Sequence, residues 1–438
     1  MVHLLYVQPN GPWRPGERHQ QARKGRRLGG NSSPRGLCTD TDFEMINLYT
    51  NTFTDVINVG SYNYLGFAHA EGPCSDRAAA FVDQYGLGTG FSRNSFPNFD
   101  AQRTLEATVA RFLGTEDAVV CPMGFGTNVM NLPAIINENT LVLSDKLNHA
   151  SLVLGLRMSK AKVAVFEHND AKSCEKVLLK AFADFKAAKG RPPAKVLIVV
   201  EGIYSMEGTI LDLPSFIEVK KRYKAYLYID EAHSIGALGP NGRGVIDYWG
   251  VDSSEVDILM GTLTKSFASA GGYIAGSKAL INHLRHNSAV TVYGSPMSPV
   301  LIGQFLESAK IIAGEDGTTI GKDKIAKLHR NARYFRKRVH QLGFLVYGQE
   351  DSPVIPIMTF YTTKVVAAGR EALAKGIGMI SVGYPATALT RARARICMSA
   401  DHTKDQLDVV LASLDEIGDQ MRFKYGKNPY PDGYVVEY

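Results

Sequence analysis

Gly261-Thr-Leu-Thr-Lys-Ser-Phe-Ala-Ser-Ala-Gly-Gly272 sets a lysine among small hydroxyl residues, directly after the apolar run Val256-Asp-Ile-Leu-Met260. The run reads as a buried strand, and Gly261 to Ser266 as the loop leaving its carboxyl end. In open α/β sheets, ligands sit at the carboxyl ends of the parallel strands, which puts Lys265 where a cofactor belongs. Thr262, Thr264 and Ser266 offer hydroxyls suited to a phosphate, and Gly271 and Gly272 permit close backbone approach. A loop lysine taken alone is more often merely solvated, so its meaning depends on what surrounds it.

Working outward, short apolar runs alternate with amphipathic helical stretches from Asp117 to about Gly276. The expected strands are Ala118–Cys121, Thr140–Leu143, Val163–Phe166, Val196–Val200, Tyr226–Ile229 and Val256–Met260, with a helix at Pro214–Tyr223. This alternation predicts βαβ units: an α/β fold whose sheet is mostly parallel, with helices on both faces. Before it come a short strand at Val56–Val59, the turn Ser61-Tyr-Asn-Tyr-Leu-Gly66, the glycine-rich Tyr85-Gly-Leu-Gly-Thr-Gly90 and a helix over Leu105–Leu113. Beyond Glu307 a basic helix (Ile325–Leu342), strands near Val354–Phe360 and Arg395–Met398, and a helix Lys404–Met421 predict a smaller α+β unit. The expected division is a basic segment 1–41, an amino-terminal arm 42–95, a large domain 96–306 and a carboxyl-terminal domain 307–438.

With 438 residues, 45% of them hydrophobic, the chain can bury a large core. Its net charge of +6 comes from residues 1–36, where seven Lys and Arg face only Glu17. The remainder is balanced and has no bulk attraction for nucleic acid. Segment 1–36 is basic, as mitochondrial presequences are, but its prolines and glycines disfavour a helix; it is expected to be disordered. Five scattered cysteines without a CxxC pair point to a reducing compartment, and away from disulfides or zinc. No run of eighteen apolar residues offers a membrane span, and the start has no secretory cleavage pattern.

Four more expected strands run into polar or glycine-rich turns: Asp230-Glu-Ala-His-Ser234, Glu201 to Gly208, Ser144 to Ser151 and Pro122-Met-Gly-Phe-Gly126. Each has an ordinary structural reading; Asp230 could cap a helix, and His149 or His233 could be hydrogen-bonded core histidines. Their convergence on one sheet edge with Lys265 is harder to assign to packing. A lysine, a carboxylate and a phosphate cradle together suit pyridoxal 5'-phosphate. Its aldehyde bonds a lysine amine, a carboxylate keeps its pyridine nitrogen protonated, and a glycine-rich helix start takes its phosphate.

Asp230-Glu-Ala-His233, Asn148-His-Ala-Ser151, Glu201 to Gly208, Gly261 to Ser266 and Arg395-Ile-Cys-Met-Ser-Ala-Asp-His402 resemble the α-oxoamine synthases, fold-type I pyridoxal phosphate enzymes. Gly60-Ser-Tyr-Asn-Tyr-Leu-Gly-Phe67, Tyr223 to Pro240, Thr264-Lys-Ser-Phe267 and Glu350-Asp-Ser-Pro-Val354 are most similar to its eukaryotic serine palmitoyltransferase branch, catalytic second subunit. The likeness covers about residues 42–425.

The resemblance implies that Lys265 is the Schiff-base lysine, that Asp230 pairs with the pyridine nitrogen, that His149 stacks on the ring and that His233 bonds the ring hydroxyl. It gives the phosphate to Gly124, Phe125 and Thr262, and the amino-acid carboxylate to Asn63, Ser205 and Arg395. Tyr293-Gly-Ser-Pro-Met-Ser-Pro299 matches a segment that reaches across a dimer, placing Ser295 near the other subunit's phosphate. The implied substrates are L-serine and palmitoyl-CoA. The implied setting is the cytosolic face of the endoplasmic reticulum membrane, in a heterodimer with a related subunit lacking the lysine. A homodimer, a synthase using glycine or alanine, and a non-catalytic scaffold are the competing expectations; the presence of Lys265 opposes the last. Ala268 stands where the family carries glycine, and Gly126 where it carries alanine. The membrane helix that precedes the family's catalytic body has no counterpart in 1–36.

Overall fold

The computed structural model describes residues 55–93, 100–431 and 433–438. The basic segment 1–41, the expected start near Asp42 and the 95/96 boundary lie outside them. After the two-residue strand β1 (Ile57–Asn58) come the strands of the main sheet: β2 (Asp117–Cys121), β3 (Thr140–Asp145), β4 (Lys162–Phe166), β5 (Lys195–Glu201), β6 (Tyr226–Asp230), β7 (Ile258–Thr262) and β8 (Gly272–Gly276). Their order is β2-β8-β7-β6-β5-β3-β4. Only β8 runs against its neighbours, so the sheet is mostly parallel, as the βαβ alternation predicts.

Alternate residues of these strands feed two apolar layers. Leu141, Leu143, Ile198, Val200, Leu227 and Ile229 pack into one layer, while Val142, Leu197, Val199 and Tyr228 pack into the other. Both faces are therefore covered, which is why the strands read as continuous apolar runs. Each fully buried Val, Leu or Ile contributes about 1.5–3 kcal/mol. The same burial explains why β3, β5 and β6 run one or two residues beyond the apolar runs. They end in Asp145, Glu201 and Asp230, carboxylates only 2%, 4% and 3% exposed.

The lysine-bearing strand is shifted from the expected Val256–Met260. Val256 N–H closes the 3₁₀ turn Ser253–Glu255 by donating to the Ser253 carbonyl, and the ladder begins at Ile258. At its far end Gly261 and Thr262 pair with Tyr273 and Gly272 of β8. This antiparallel return makes packing demands on the glycines. A Cβ on Gly261 would lie 2.3 Å from the Tyr273 hydroxyl, and one on Gly272 would lie 2.7 Å from Thr127 Oγ1. Gly271 and Gly272 therefore serve strand pairing instead of the open approach expected of them.

The smaller sheet has the order β11-β12-β9, all antiparallel, from β9 (Val354–Phe360), β11 (Ile380–Val382) and β12 (Ala392–Cys397). The intervening β10 (Ile377–Gly378) pairs in parallel with β1, tying the two ends of the chain together. The helix Lys404–Gln420 opens with a capping box between Thr403 and Gln406. The helix Pro299–Ala313 runs unbroken through residue 307, where the sequence pattern changes, and lies against Pro73–Tyr85.

Ala268 has φ +53, in the left-handed region, at the tip of the loop that carries Lys265. Its N–H bonds the Lys265 carbonyl at 3.2 Å. The methyl group is thus a backbone cost before it is a matter of cofactor contact. Gly126 differs: a Cβ there would meet the flexible end of Met123 at 2.7 Å, which can move. Ala268→Gly is expected to raise the unfolding free energy by about 0.5–1 kcal/mol, the left-handed cost less the extra freedom of the unfolded glycine. Urea melts of the two proteins measure it, and a loss of stability refutes it.

Candidate active site

Lys265 lies three residues past the end of β7, its Nζ 3.3 Å from Thr262 Oγ1. Asp230 closes the adjacent strand β6. Its two oxygens accept from Asn128 Nδ2 at 2.7 Å and from Ala232 N–H at 2.9 Å, which fixes the plane of the carboxylate. Asn128 is itself oriented by the buried Tyr228 hydroxyl, which donates to its Oδ1 at 2.6 Å. The helix Gly124–Ile135 starts beside Thr262. A Cβ on Gly124 would come within 3.0 Å of Thr262 Cγ2, and Met123 gives the helix no side-chain cap. Its first N–H groups are left open for an anion.

His149 is the N-cap of Ala150–Met158. Its ring accepts from Ser151 N–H and meets Phe125 edge-on at 6.0 Å, while its backbone N–H donates to the Glu201 carboxylate. His233 Nδ1 pairs with the Tyr64 hydroxyl at 2.8 Å, and its ring lies 5.0 Å from that of Tyr62. The Tyr62 ring faces two cations: Lys265 Nζ at 5.6 Å and the Arg395 guanidinium at 4.7 Å. Arg395 is 4% exposed, yet its Nε has no partner, and Nη1 has only the sulfur of Met206 at 3.8 Å. Among the described residues no carboxylate pairs with this buried guanidinium, and its unbonded Nε suits it to hold one. Ser205, next to Met206, is buried.

Not every expected residue joins this cluster. Asn63 turns its Oδ1 to Ala68 N–H at 3.3 Å and its carbonyl to Ser399 Oγ at 2.7 Å. Ser295 is exposed and makes no hydrogen bond to the other site residues. Ser266, offered by the sequence as a phosphate donor, is fully buried and donates instead to the Ile235 carbonyl at 2.7 Å, while Thr264 is exposed. Sequence reasoning missed Asn128, Tyr62, Tyr64 and Glu201 as contributors. Asn128 lies four residues beyond Gly124, one helical turn along the face that carries the glycine, and that spacing was the available signal.

Burial sets the electrostatics. It pushes the Lys265 amine down to about 8, against the pull of Asp230 and Glu201. Burial keeps His149 below the usual histidine value, and His233 well below it with the help of Lys265 and Arg395. Both rings are neutral at physiological pH. Glu201 is pushed well above the carboxylate range by burial and by the neighbouring Asp230. The residues present fit pyridoxal phosphate: an amine, a fixed carboxylate, neutral rings, and an uncapped helix start beside a hydroxyl.

The aminotransferase class I and II family pattern matches residues 54–414. Serine palmitoyltransferase 3 of Caenorhabditis elegans is 54% identical over 378 residues, 86% of this chain and 74% of that one. Serine palmitoyltransferase 2 of Dictyostelium discoideum is 50% identical over 374 residues, 85% of this chain and 76% of that one. A high-resolution structure of SPT with PLP matches with a TM-score of 0.76 at 26% identity, covering 84% of this chain and 88% of the other.

An amine depressed to about 8 is protonated below that pH and a free nucleophile above it. Covalent capture of added pyridoxal phosphate by the cofactor-free protein is therefore expected to quicken as pH rises through about 8 and then level off. Borohydride should fix the cofactor on the peptide containing Lys265, read by mass spectrometry. Lys265→Ala should leave no fixed cofactor at any pH, and fixation on another lysine excludes the assignment.

Proposed function

Because the chain belongs to the class I and II aminotransferase family, we propose that it is the catalytic subunit of a serine palmitoyltransferase. It would use pyridoxal phosphate to condense L-serine with palmitoyl-CoA into 3-oxosphinganine, CoA and carbon dioxide. The observation that carries this reading is the Tyr62 ring with the Lys265 amine and the Arg395 guanidinium against it, the guanidinium having no carboxylate partner among the described residues. An amino acid presents a nitrogen and a carboxylate, one for each of these groups. The close likeness to serine palmitoyltransferases selects serine among amino acids.

Each residue's part is the one the resemblance implies, and its surroundings support it. Gly124 and Phe125 N–H and the Thr262 hydroxyl take the phosphate. Asp230, fixed by Asn128 and Ala232, holds a proton on the ring nitrogen. His233, with Nδ1 engaged by Tyr64, has Nε2 left for the ring hydroxyl. His149 would lie against the ring and, being neutral, could donate to the thioester oxygen. Arg395 would grip the serine carboxylate, and the resemblance gives Ser205 and Asn63 to the same group, with Asn63 Oδ1 having to leave Ala68 N–H to reach it. Lys265 Nζ would hold the cofactor at rest; once freed, its amine, brought down to about 8 and so nearer to neutral pH than an ordinary lysine, would be the base for the serine α-proton. Pyridoxal phosphate itself supplies the electron sink for the charge left on the α-carbon, for condensation and for decarboxylation.

The assembly we infer is a heterodimer with a related subunit lacking the lysine, at the cytosolic face of the endoplasmic reticulum. Met123, Phe125, Val153, Leu154 and Met158 are exposed apolar side chains on the two helices that open beside the site. A second chain covering them would remove that surface from water and bring its counterpart of Ser295 to this phosphate. No helix among the described residues is long and apolar enough to cross a membrane. Residues 1–36 would add weak attraction to anionic lipid, about 1 kcal/mol per Lys or Arg near the surface.

Purified holoenzyme given labelled serine, glycine or alanine with palmitoyl-CoA should release labelled carbon dioxide from serine above all. Preference for glycine or alanine would replace this reading with that of a different synthase. Arg395→Ala should weaken serine binding by about 2–4 kcal/mol while the cofactor remains bound. An unchanged serine dissociation constant removes Arg395 from the site. Co-expression with a lysine-lacking relative should raise activity and move the chain to membranes. Full activity from a homodimer, indifferent to any such relative, rules out the heterodimer.

A further inference from the structure

Strand β12 carries two arginines, Arg393 and Arg395, on one face, since residues two apart in a strand point the same way, about 7 Å from each other. Both are buried, and they differ in what they hold. Arg395 has no carboxylate among the described residues. Arg393 Nη1 donates to the Met206 carbonyl at 2.6 Å and to the Glu207 carboxylate at 3.1 Å, and its Nε donates to the Arg391 carbonyl at 3.2 Å. Met206 and Glu207 belong to the turn that follows β5 of the main sheet, the turn that also carries Ser205. One arginine of the smaller sheet therefore holds a turn of the larger one beside the arginine that is left free for a ligand.

The base of that turn has fixings of its own. Gly208 N–H donates to the Tyr204 carbonyl at 2.8 Å and Tyr204 N–H to the Thr209 carbonyl at 3.0 Å. Thr209 Oγ1 meets His168 Nε2 at 2.7 Å, and Gln349 Oε1 accepts from Ile210 N–H at 2.7 Å. The tip, Ser205 to Glu207, shares none of these. Among the described residues its hydrogen bonds come from β12 alone: the two from Arg393, and the contact of Arg395 Nη1 with the Met206 sulfur at 3.8 Å. The place of Ser205 relative to Arg395 is thus set by Arg393. Glu207 completes the device. The side chains of Arg393 and Glu207 are 3% and 16% exposed, and a guanidinium so deeply buried needs a carboxylate at hand. Without Glu207, two guanidiniums on one face would compete for one substrate carboxylate. We propose that Arg393 and Glu207 are a positioning pair for the amino-acid site: Glu207 commits Arg393 to the turn, Arg393 holds Ser205 and Met206 against Arg395, and an incoming carboxylate is left a single guanidinium to bind. The proposal rests on the reading of Arg395 as the anchor of the substrate carboxylate, and it adds what holds the wall opposite that anchor.

The test uses holoenzyme, with the serine Kd read from the change in cofactor absorbance and with steady-state kinetics against palmitoyl-CoA. Glu207→Gln keeps the shape of the side chain and an acceptor for Arg393 while removing the charge. It should raise the serine Kd and KM about tenfold, the scale of one charge-assisted hydrogen bond. Arg393→Lys keeps the charge without the planar fork and should give a smaller rise, whereas Arg393→Met, which keeps only the stem, should give the largest. The kcat, the palmitoyl-CoA KM and the cofactor Kd should not move, because the pair acts on ground-state binding of the carboxylate. If Arg393→Met fails to fold, Glu207→Gln and Arg393→Lys carry the test. An unchanged serine Kd in Glu207→Gln overturns the proposal, whether or not the variant melts at a lower temperature, and so do equal losses for serine, palmitoyl-CoA and cofactor. Should glycine or alanine prove to be the amino acid condensed, with its Kd raised in the same variants, the positioning pair stands and the serine reading falls. Serine condensation by the unaltered protein, undisturbed in all three variants, does the reverse.

Discussion

Carboxylates buried side by side at the ends of parallel strands are the constraint on which this structure depends. Asp145, Glu201 and Asp230 close three consecutive strands of the sheet, nearly without exposure. Acids so placed are tolerable only where donors and cations meet them, or where burial and a neighbouring acid favour the neutral form, as they do for Glu201. Asp145 has His168 at 3.1 Å and Asn169 N–H at 2.7 Å, Glu201 has the His149 N–H, and Asp230 has Asn128 and the Ala232 N–H. The helix starts, the histidines and the lysine loop are thereby drawn to one edge of the sheet. The active site is the set of groups that makes this edge affordable.

The same edge explains the depressed amine. Desolvation disfavours the Lys265 ammonium, while Asp230 and Glu201 favour it, and desolvation wins by enough to bring the value to about 8. A deeper burial without carboxylates would leave the amine too weak a base. An exposed lysine near its usual value would stay protonated at neutral pH. Strand ends with buried acids reach the intermediate condition through the backbone fold alone.

Much of this was legible in the sequence, and the exceptions have physical causes. The apolar runs located β2, β3, β5, β6 and β7 because both faces of the sheet are covered there. Strand ends were misjudged where a polar residue belongs to the strand, as Asp145, Glu201 and Asp230 do. β8 went unread because Gly272 and Gly276 at its ends carry no apolar signal; its place is dictated by Gly261 and Tyr273 across the pair. Lys265, Asp230, His149 and His233 were legible as residue types after strands. Their supporting contacts were not, because Asn128, Tyr62 and Tyr64 reach them across long stretches of sequence. Tyr64 and His233, for instance, are 169 residues apart. The strained Ala268 was visible as a departure from the family's glycine, and only the backbone angle gave its reason.

The hairpin of β7 and β8 divides the pocket by the chain length each half must close. The cofactor side draws on residues between Gly124 and Lys265, all on one sheet and its helices. The amino-acid side closes only when the two ends of the chain meet, as when Ser399 Oγ bonds the Asn63 carbonyl 336 residues away. That longer closure adds less than 1 kcal/mol of chain entropy by the logarithmic law, since each doubling of length costs about 0.6 kcal/mol. Its consequence is one of sequence in time. On a ribosome, Arg395 emerges well over a hundred residues after Lys265, so the proposed cofactor wall is synthesised before the proposed grip on a substrate carboxylate.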